Sequence, residues 1–323
     1  VAFHEPVMLA EVLESLLIRP GIAVVDGTLG TGGHSLEIAR RLGPQGFLLG
    51  MDRDPEMLAI GSQRLRDEFD GRADAPAIHF AGRPYEEVGA ALAAAGRHRV
   101  DAVLLDLGVN SLHLDMAERG FSFLLDGPLD GRFNRQNTRG TTMADLVNTS
   151  SERQLADWIH RWGDERHARR IASRIVATRR TTPITTTAQL AALVVEAYPP
   201  RERFGRIHPA TRTFQALRIV ANDELGHVER GVRACLEVLA PGGVLGVISF
   251  HSGEDRLVKQ IFREVAAPRP DPNNPYSATT LEGVEFHQDQ RQAVFSSEEE
   301  AARNPRSRSA RLRVVRRREV APC

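Results

Sequence analysis

A pattern of apolar runs and helical stretches begins at residue 22. The run IAVVD (22–26) ends in a glycine-rich stretch, GTLGTGG, after which SLEIARRL spaces its apolar residues as one face of a helix. This predicts strand, loop, helix. The order repeats with FLLGMD (47–52) as strand and residues 55–69 as helix, where Asp54 precedes a proline suited to a first helical position. VDAVLLDLG (100–108) predicts a third strand. Near-continuous apolar strands alternating with helices predict a parallel sheet covered on both faces.

Past Asn110 the pattern changes. Mixtures of glycine, aspartate and phenylalanine run without period to about residue 142, and helical spacing then takes over. Ser151-x-x-Gln154 reads as a capping box, with Leu155, Trp158, Ile159 and Trp162 on one face. Residues 164–180 and 187–197 also predict helices, and no strand is predicted before Gly243. Helices over about 210–239, a Pro241-Gly242-Gly243 turn and the strand VLGVISF (244–250) then restore the first pattern. The sheet domain is therefore expected in two parts, 1–110 and 215–323, around an inserted helical domain, 111–214. Residues 268–309 read as a long surface loop, and 311–317 as a final antiparallel edge strand.

Composition adds limits. With 323 residues, 41% hydrophobic and 26% charged, the chain is globular, and no run approaches the roughly 20 apolar residues of a bilayer crossing. Two cysteines, Cys235 and Cys323, build neither a disulfide framework nor a four-cysteine zinc site, which fits a reducing compartment. Val232, Cys235, Leu236 and Leu239 share a helical face, so Cys235 is expected to be buried and inert. Formal charge is zero, yet 41 of the 42 basic residues are arginines, Lys259 being the sole lysine. A GC-rich genome would produce that bias. Even so, seven arginines crowd residues 161–180 and eight lie between Arg303 and Arg318, enough to neutralise phosphates locally.

Candidate chemistry gathers at strand ends. The loop after Asp26, with Gly30, Gly32 and Gly33, allows close backbone approach and presents a helix N-terminus. Its Asp-x-Thr-x-Gly-x-Gly-Gly spacing departs from the dinucleotide fingerprint and favours S-adenosylmethionine over NAD. Asp52, ending the second strand, is placed to accept from ribose hydroxyls, while Asp54 is the better helix cap. Asp106 ends the third strand at the crevice edge, where a carboxylate could serve the sulfonium or the methyl acceptor. His4, His34, His208 and His251 form no metal signature, so no metal is expected. His34 and His251 are each expected at or just after a strand's carboxyl edge.

Several stretches together resemble one family, the MraW-type methyltransferases of small-subunit ribosomal RNA. They are HEPVML (4–9), DGTLGTGGHS (26–35), DRDP (52–55), LLDLGVNS (104–111), AERGFSF (117–123), DGPLD (126–130), HPATRTFQALRI (208–219), ISFHSGEDR (248–256) and NPRSRSARLR (304–313). The resemblance implies an α/β, Rossmann-like S-adenosylmethionine-dependent methyltransferase domain interrupted by a helical substrate-recognition domain. It further implies that Gly32, Gly33 and His34 hold the methionine part of the cofactor, Asp52 the ribose and Asp106 the region of adenine and sulfonium, with Tyr85 beside the adenine. There are departures. His113 stands where the family has a cofactor-contacting glutamine, Gly253 where it has leucine, and Gly131 where methionine is common.

The reaction so implied is methylation of the exocyclic N4 of a cytidine near the decoding centre, with Asp106 the first acceptor for the reacting amine and Asn110 the second. The expected partner is small-subunit ribosomal RNA in an assembled or late-assembly subunit. The expected compartment is the bacterial cytoplasm, or the mitochondrial matrix if a leader precedes Val1. Two alternatives stay open: a nicotinamide-dependent oxidoreductase, disfavoured by the glycine spacing, and a methyltransferase-like RNA-binding or assembly factor without turnover.

Overall fold

A computed structural model describes residues 5–205, 207–270, 279–280 and 284–319. His4 and Cys323 lie outside them. The chain divides into two compact units, residues 1–108 with 225–323, and residues 109–224. The insertion therefore ends at 224, where the sequence pattern had suggested 214.

The first unit is built on a seven-stranded sheet. Its strands are β1 (Ala23–Asp26), β2 (Phe47–Met51), β3 (Ala77–Ala81), β4 (Val100–Asp106), β5 (Leu239–Ser249), β8 (Phe286–His287) and β9 (Arg311–Arg317), in the order β3-β2-β1-β4-β5-β9-β8. A separate ribbon pairs β6 (Arg269–Pro270) with β7 (Thr279–Thr280). β1 to β5 run parallel, while β9 is antiparallel to both β5 and β8. β9 is thus not the edge strand its pattern suggested, because the two-residue β8 covers it. The expected turn at 241–243 is a register shift inside β5, which pairs Leu239 with Val100 and then Val244 with Ala102.

Among the described residues, seven helices belong with this sheet: α1 (Leu9–Ser15), α2 (Gly33–Leu42), α3 (Pro55–Phe69), α4 (Val88–Ala94), α11 (Glu224–Val238, save its first residue), α12 (Ser252–Val265) and α13 (Glu298–Arg303). Successive strand side chains point to opposite faces, and each face has its own core. Val25, Leu49, Val103 and Val247 pack with α4, α11 and α12, whereas Val24, Leu48, Leu104 and Ile248 pack with α1, α2 and α3.

The second unit holds α5 (Ser111–Asp115), α6 (Met143–Thr149), α7 (Glu152–Gly163), α8 (Ala168–Arg179), α9 (Thr187–Ala197) and α10 (Ala210–Ala221). Leu155 and Ile159 of α7, Ile171 and Ile175 of α8, and Phe214 and Leu217 of α10 share one core. This shared core assigns the whole of α10 to the helical unit. The glycine-rich stretch before α6 is tied down by polar groups. Asn222 accepts from the Phe133 N–H at 2.9 Å and donates to the Gly131 carbonyl at 2.7 Å. The fully buried Arg119 donates to the Phe133 carbonyl at 2.9 Å.

Candidate active site

The loop between β1 and α2 takes its shape from Asp26, which is 1% exposed. Its Oδ1 accepts from the Thr28 N–H at 3.1 Å and its Oδ2 from the Ser35 hydroxyl at 2.7 Å. Such a local aspartate-to-backbone bond folds the chain back into a turn. Gly32 then caps α2 at φ +80, in the left-handed region, and a Cβ there would fall 2.8 Å from Leu65 Cδ1. Gly61 of α3 is equally constrained, because its Cβ would meet the Gly30 carbonyl oxygen at 2.6 Å. No side chain caps α2, so the helix presents N–H groups and the positive end of its dipole at the loop.

Asp52 follows β2, and both its oxygens hold backbone. Oδ2 accepts from the Gly30 N–H and Oδ1 from the Asp54 N–H, each at 2.8 Å. Asp54 is the cap of α3, accepting from the N–H groups of Glu56 and Met57. Asp52 therefore links the glycine loop to the entry of α3 and keeps lone pairs for a ligand's hydroxyls. Burial pushes its carboxyl up to about 6, against the lowering effect of the two backbone N–H groups.

Tyr85 opens a short 3-10 helix after β3. Its ring lies so close to α11 that a Cβ on Gly231 would fall 2.1 Å from ring carbons Cδ2 and Cε2. Sequence reading missed Gly231, because its need arises from a contact between elements distant in the chain.

Asp106 ends β4, and its N–H donates to Thr28 Oγ1 at 2.7 Å, tying this strand end to the loop. Its side chain is 26% exposed. Oδ2 stands 3.6 Å from His34 Nδ1, and the buried Oδ1 has no hydrogen-bond partner among the described residues. His34 Nε2 donates to the Val7 carbonyl at 2.9 Å, which leaves Nδ1 turned to the carboxylate. Burial pushes the Asp106 carboxyl up to about 6; His34 and Arg306 act to lower it, Asp26 and Glu254 to raise it.

His251 is the N-cap of α12, where its Nδ1 accepts from the Gly253 N–H at 3.2 Å, and Glu254 accepts in return from the Phe250 N–H at 2.9 Å. A Cβ on Gly253 would lie 3.1 Å from His251 Nδ1, so the departure at 253 leaves the cap uncrowded.

Asn110 and His113 fall in the helical unit. Asn110 caps α5 by accepting from the Leu112 N–H at 3.0 Å, while its own N–H donates to His113 Nδ1 at 3.0 Å. The buried His113 ring stacks on Phe121 at 5.0 Å and meets the edge of Phe133 at 5.1 Å. His113 thus holds the backbone of Asn110 at the position where the resemblance implies a cofactor contact. The departure at Gly131 is compensated as well, since Met143 fills the space beside it, 2.7 Å from where a Cβ would stand.

Residues 1–318 match the MraW methylase family. The chain belongs to this family. Among curated relatives, the ribosomal RNA small subunit methyltransferase H of Trichlorobacter lovleyi is 48% identical over 313 residues, covering 97% of each chain. Its namesake in Geobacter sulfurreducens is 46% identical over 312 residues, covering 97% of this chain and 98% of the relative. In this chain a Rossmann-like sheet carries Asp26, Asp52 and Asp106 at the carboxyl ends of three adjacent parallel strands.

Proposed function

We propose that this MraW methylase transfers a methyl group from S-adenosylmethionine to the exocyclic N4 of a cytidine in small-subunit ribosomal RNA. The observation that carries the reading is the paired environment of Asp106: a buried, unpartnered Oδ1 beside an Oδ2 that faces His34. The residues fit the cofactor. Gly32 and Gly33 offer the open end of α2 to the methionine portion, Asp52 its remaining lone pairs to the ribose, and Tyr85 an apolar ring to the adenine. When bound, S-adenosylmethionine supplies an electrophilic methyl group on a cationic sulfur.

The chain's own groups do the rest. The N4 lone pair is delocalised into the cytosine ring, so an acceptor that takes a hydrogen bond from the amine favours the tetrahedral nitrogen of the transition state. The Asp106 carboxylate, 26% exposed, is such an acceptor, and Asn110, held by His113, is the second polar group proposed to steady the base. The amine attacks directly, so no enzyme nucleophile is needed. Relatives named for the small ribosomal subunit support RNA as the substrate. We extend this to an assembled or late-assembly subunit, acted on in the cytoplasm.

Calorimetry tests the cofactor: S-adenosylmethionine and S-adenosylhomocysteine are expected to bind and NAD is not. Asp52→Ala is expected to weaken binding by about 1.5–3 kcal/mol, the usual value of hydrogen bonds to a charged group. Equal or tighter binding of NAD would overturn the assignment.

A further inference from the structure

Beside α12 lies a cavity of about 360 Å³. Asp255, Lys259 and Arg263 line it at four-residue intervals along one face of α12, a span of about 12 Å. Arg311 and Arg313 of β9 line it as well, together with Arg291 and Phe295. Five cations thus face one carboxylate, which is already engaged. Asp255 accepts from Arg313 Nε at 2.7 Å and Arg311 Nη1 at 2.9 Å, and these guanidinium groups hold its carboxyl below the usual range. That ion pair fixes the β9 part of the lining, with Arg313 only 8% exposed. Lys259, Arg263 and Arg291 have no ion-pair partner among the described residues. Phe295 is 60% exposed beside them.

Unneutralised cations along a trough, with a bare aromatic ring at its edge, match the way single-stranded nucleic acid is held, phosphates on the charges and a base on the ring. The trough also starts in a useful place. Arg311 pairs in register with Ser249, the last residue of β5 before the His251 cap, so one end of the lining lies at the carboxyl edge of the sheet, where Asp106 pairs with Ile248. We propose that this trough binds the phosphodiester strand flanking the target cytidine, with Lys259, Arg263 and Arg291 on successive phosphates and Phe295 under a base. The inference rests on RNA as the substrate and assigns it a contact outside both the glycine loop and the helical unit.

The test uses the full chain and a short single-stranded oligoribonucleotide, with fluorescence anisotropy across a salt series. Each lost phosphate contact flattens the dependence of log affinity on log salt by about 0.7, so Lys259→Gln with Arg263→Gln is expected to lower the slope by about 1.4. A charge-matched control, Arg19→Gln with Arg97→Gln, removes two exposed cations from the amino edge of the sheet and is expected to leave the slope at the parent's value. Phe295→Ala is expected to weaken binding about 5- to 150-fold with little change in slope. Inorganic phosphate at matched ionic strength is expected not to displace the RNA. An unchanged slope in the trough variant, an equal fall in the control, or displacement by phosphate would each overturn the proposal. Methyl transfer measured in parallel separates the two readings. A parent that never methylates RNA defeats the function while the slope still judges the trough, and normal methylation with an unchanged slope defeats the trough alone.

Discussion

The proposed reaction concentrates its chemistry in one side chain, Asp106. Asp106→Asn is expected to slow methyl transfer by about 2–4 kcal/mol, roughly 30- to 1000-fold in single-turnover rate, with cofactor affinity changed far less. Normal turnover at saturating cofactor would contradict its role. Because its carboxyl takes a proton near 6, the parent's rate is expected to fall as pH drops through that value, and the Asn variant to lack this limb. Stability runs the other way. A carboxyl raised from 3.8 to about 6 by folding favours the folded state below 3.8, and that contribution disappears as pH rises through the folded value. Asp106→Asn is therefore expected to melt above the parent at pH 8, by about 1 kcal/mol since water still reaches the side chain, with the gap closing towards pH 4. Cys235 has the opposite character. Fully buried among α11 side chains, with its thiol pushed up to about 12, it is no nucleophile, and Cys235→Ser is expected to keep methylating RNA. A folded but inactive Cys235→Ser protein would point to a covalent mechanism. At this scale the placement of Asp52 and Asp106 at strand ends was legible in the sequence, because each closes an apolar run. It did not reveal Gly61 and Gly231, whose Cβ atoms are forbidden by distant partners.

Among elements, α8 tests how far an arginine cluster can be read from sequence. Ile171 and Ile175 are buried as their spacing requires, but the arginines are not equivalent. Arg166 pairs with Glu202 and Arg174 with Glu196, whereas Arg169 and Arg170 are exposed. Arg169→Gln with Arg170→Gln is expected to flatten the salt dependence of RNA binding by about 1.4, and Arg166→Gln by less, because Glu202 already offsets its charge. Equal affinity and slope in the double variant would make this a solvated helix face. Strong periodicity made α3, α7, α8 and β4 legible. β3, whose side chains are mostly half-exposed, and the alanine-rich α4 lacked that signal. α13 and β8 lie inside the stretch read as a surface loop, and they exist through tertiary bonds such as the one from the Met8 N–H to Glu300 Oε1 at 2.8 Å. Local propensity does not encode such bonds.

For the whole molecule, the interrupted order of patterns disclosed two units, since a helical insertion leaves the strand alternation intact on either side. The second boundary moved from 214 to 224 because α10 shares the core of α7 and α8, and an amphipathic helix does not announce which core it will join. The central claim is that the sheet unit transfers a methyl group to N4 of a cytidine. The direct measurement incubates the protein and S-adenosylmethionine with small ribosomal subunits lacking the modification, followed by mass spectrometry of the digested RNA. N4-methylcytidine with the parent, and its loss with Asp106→Asn, is the expected result; 5-methylcytidine, or no methyl transfer by a protein that binds the cofactor, would contradict the account.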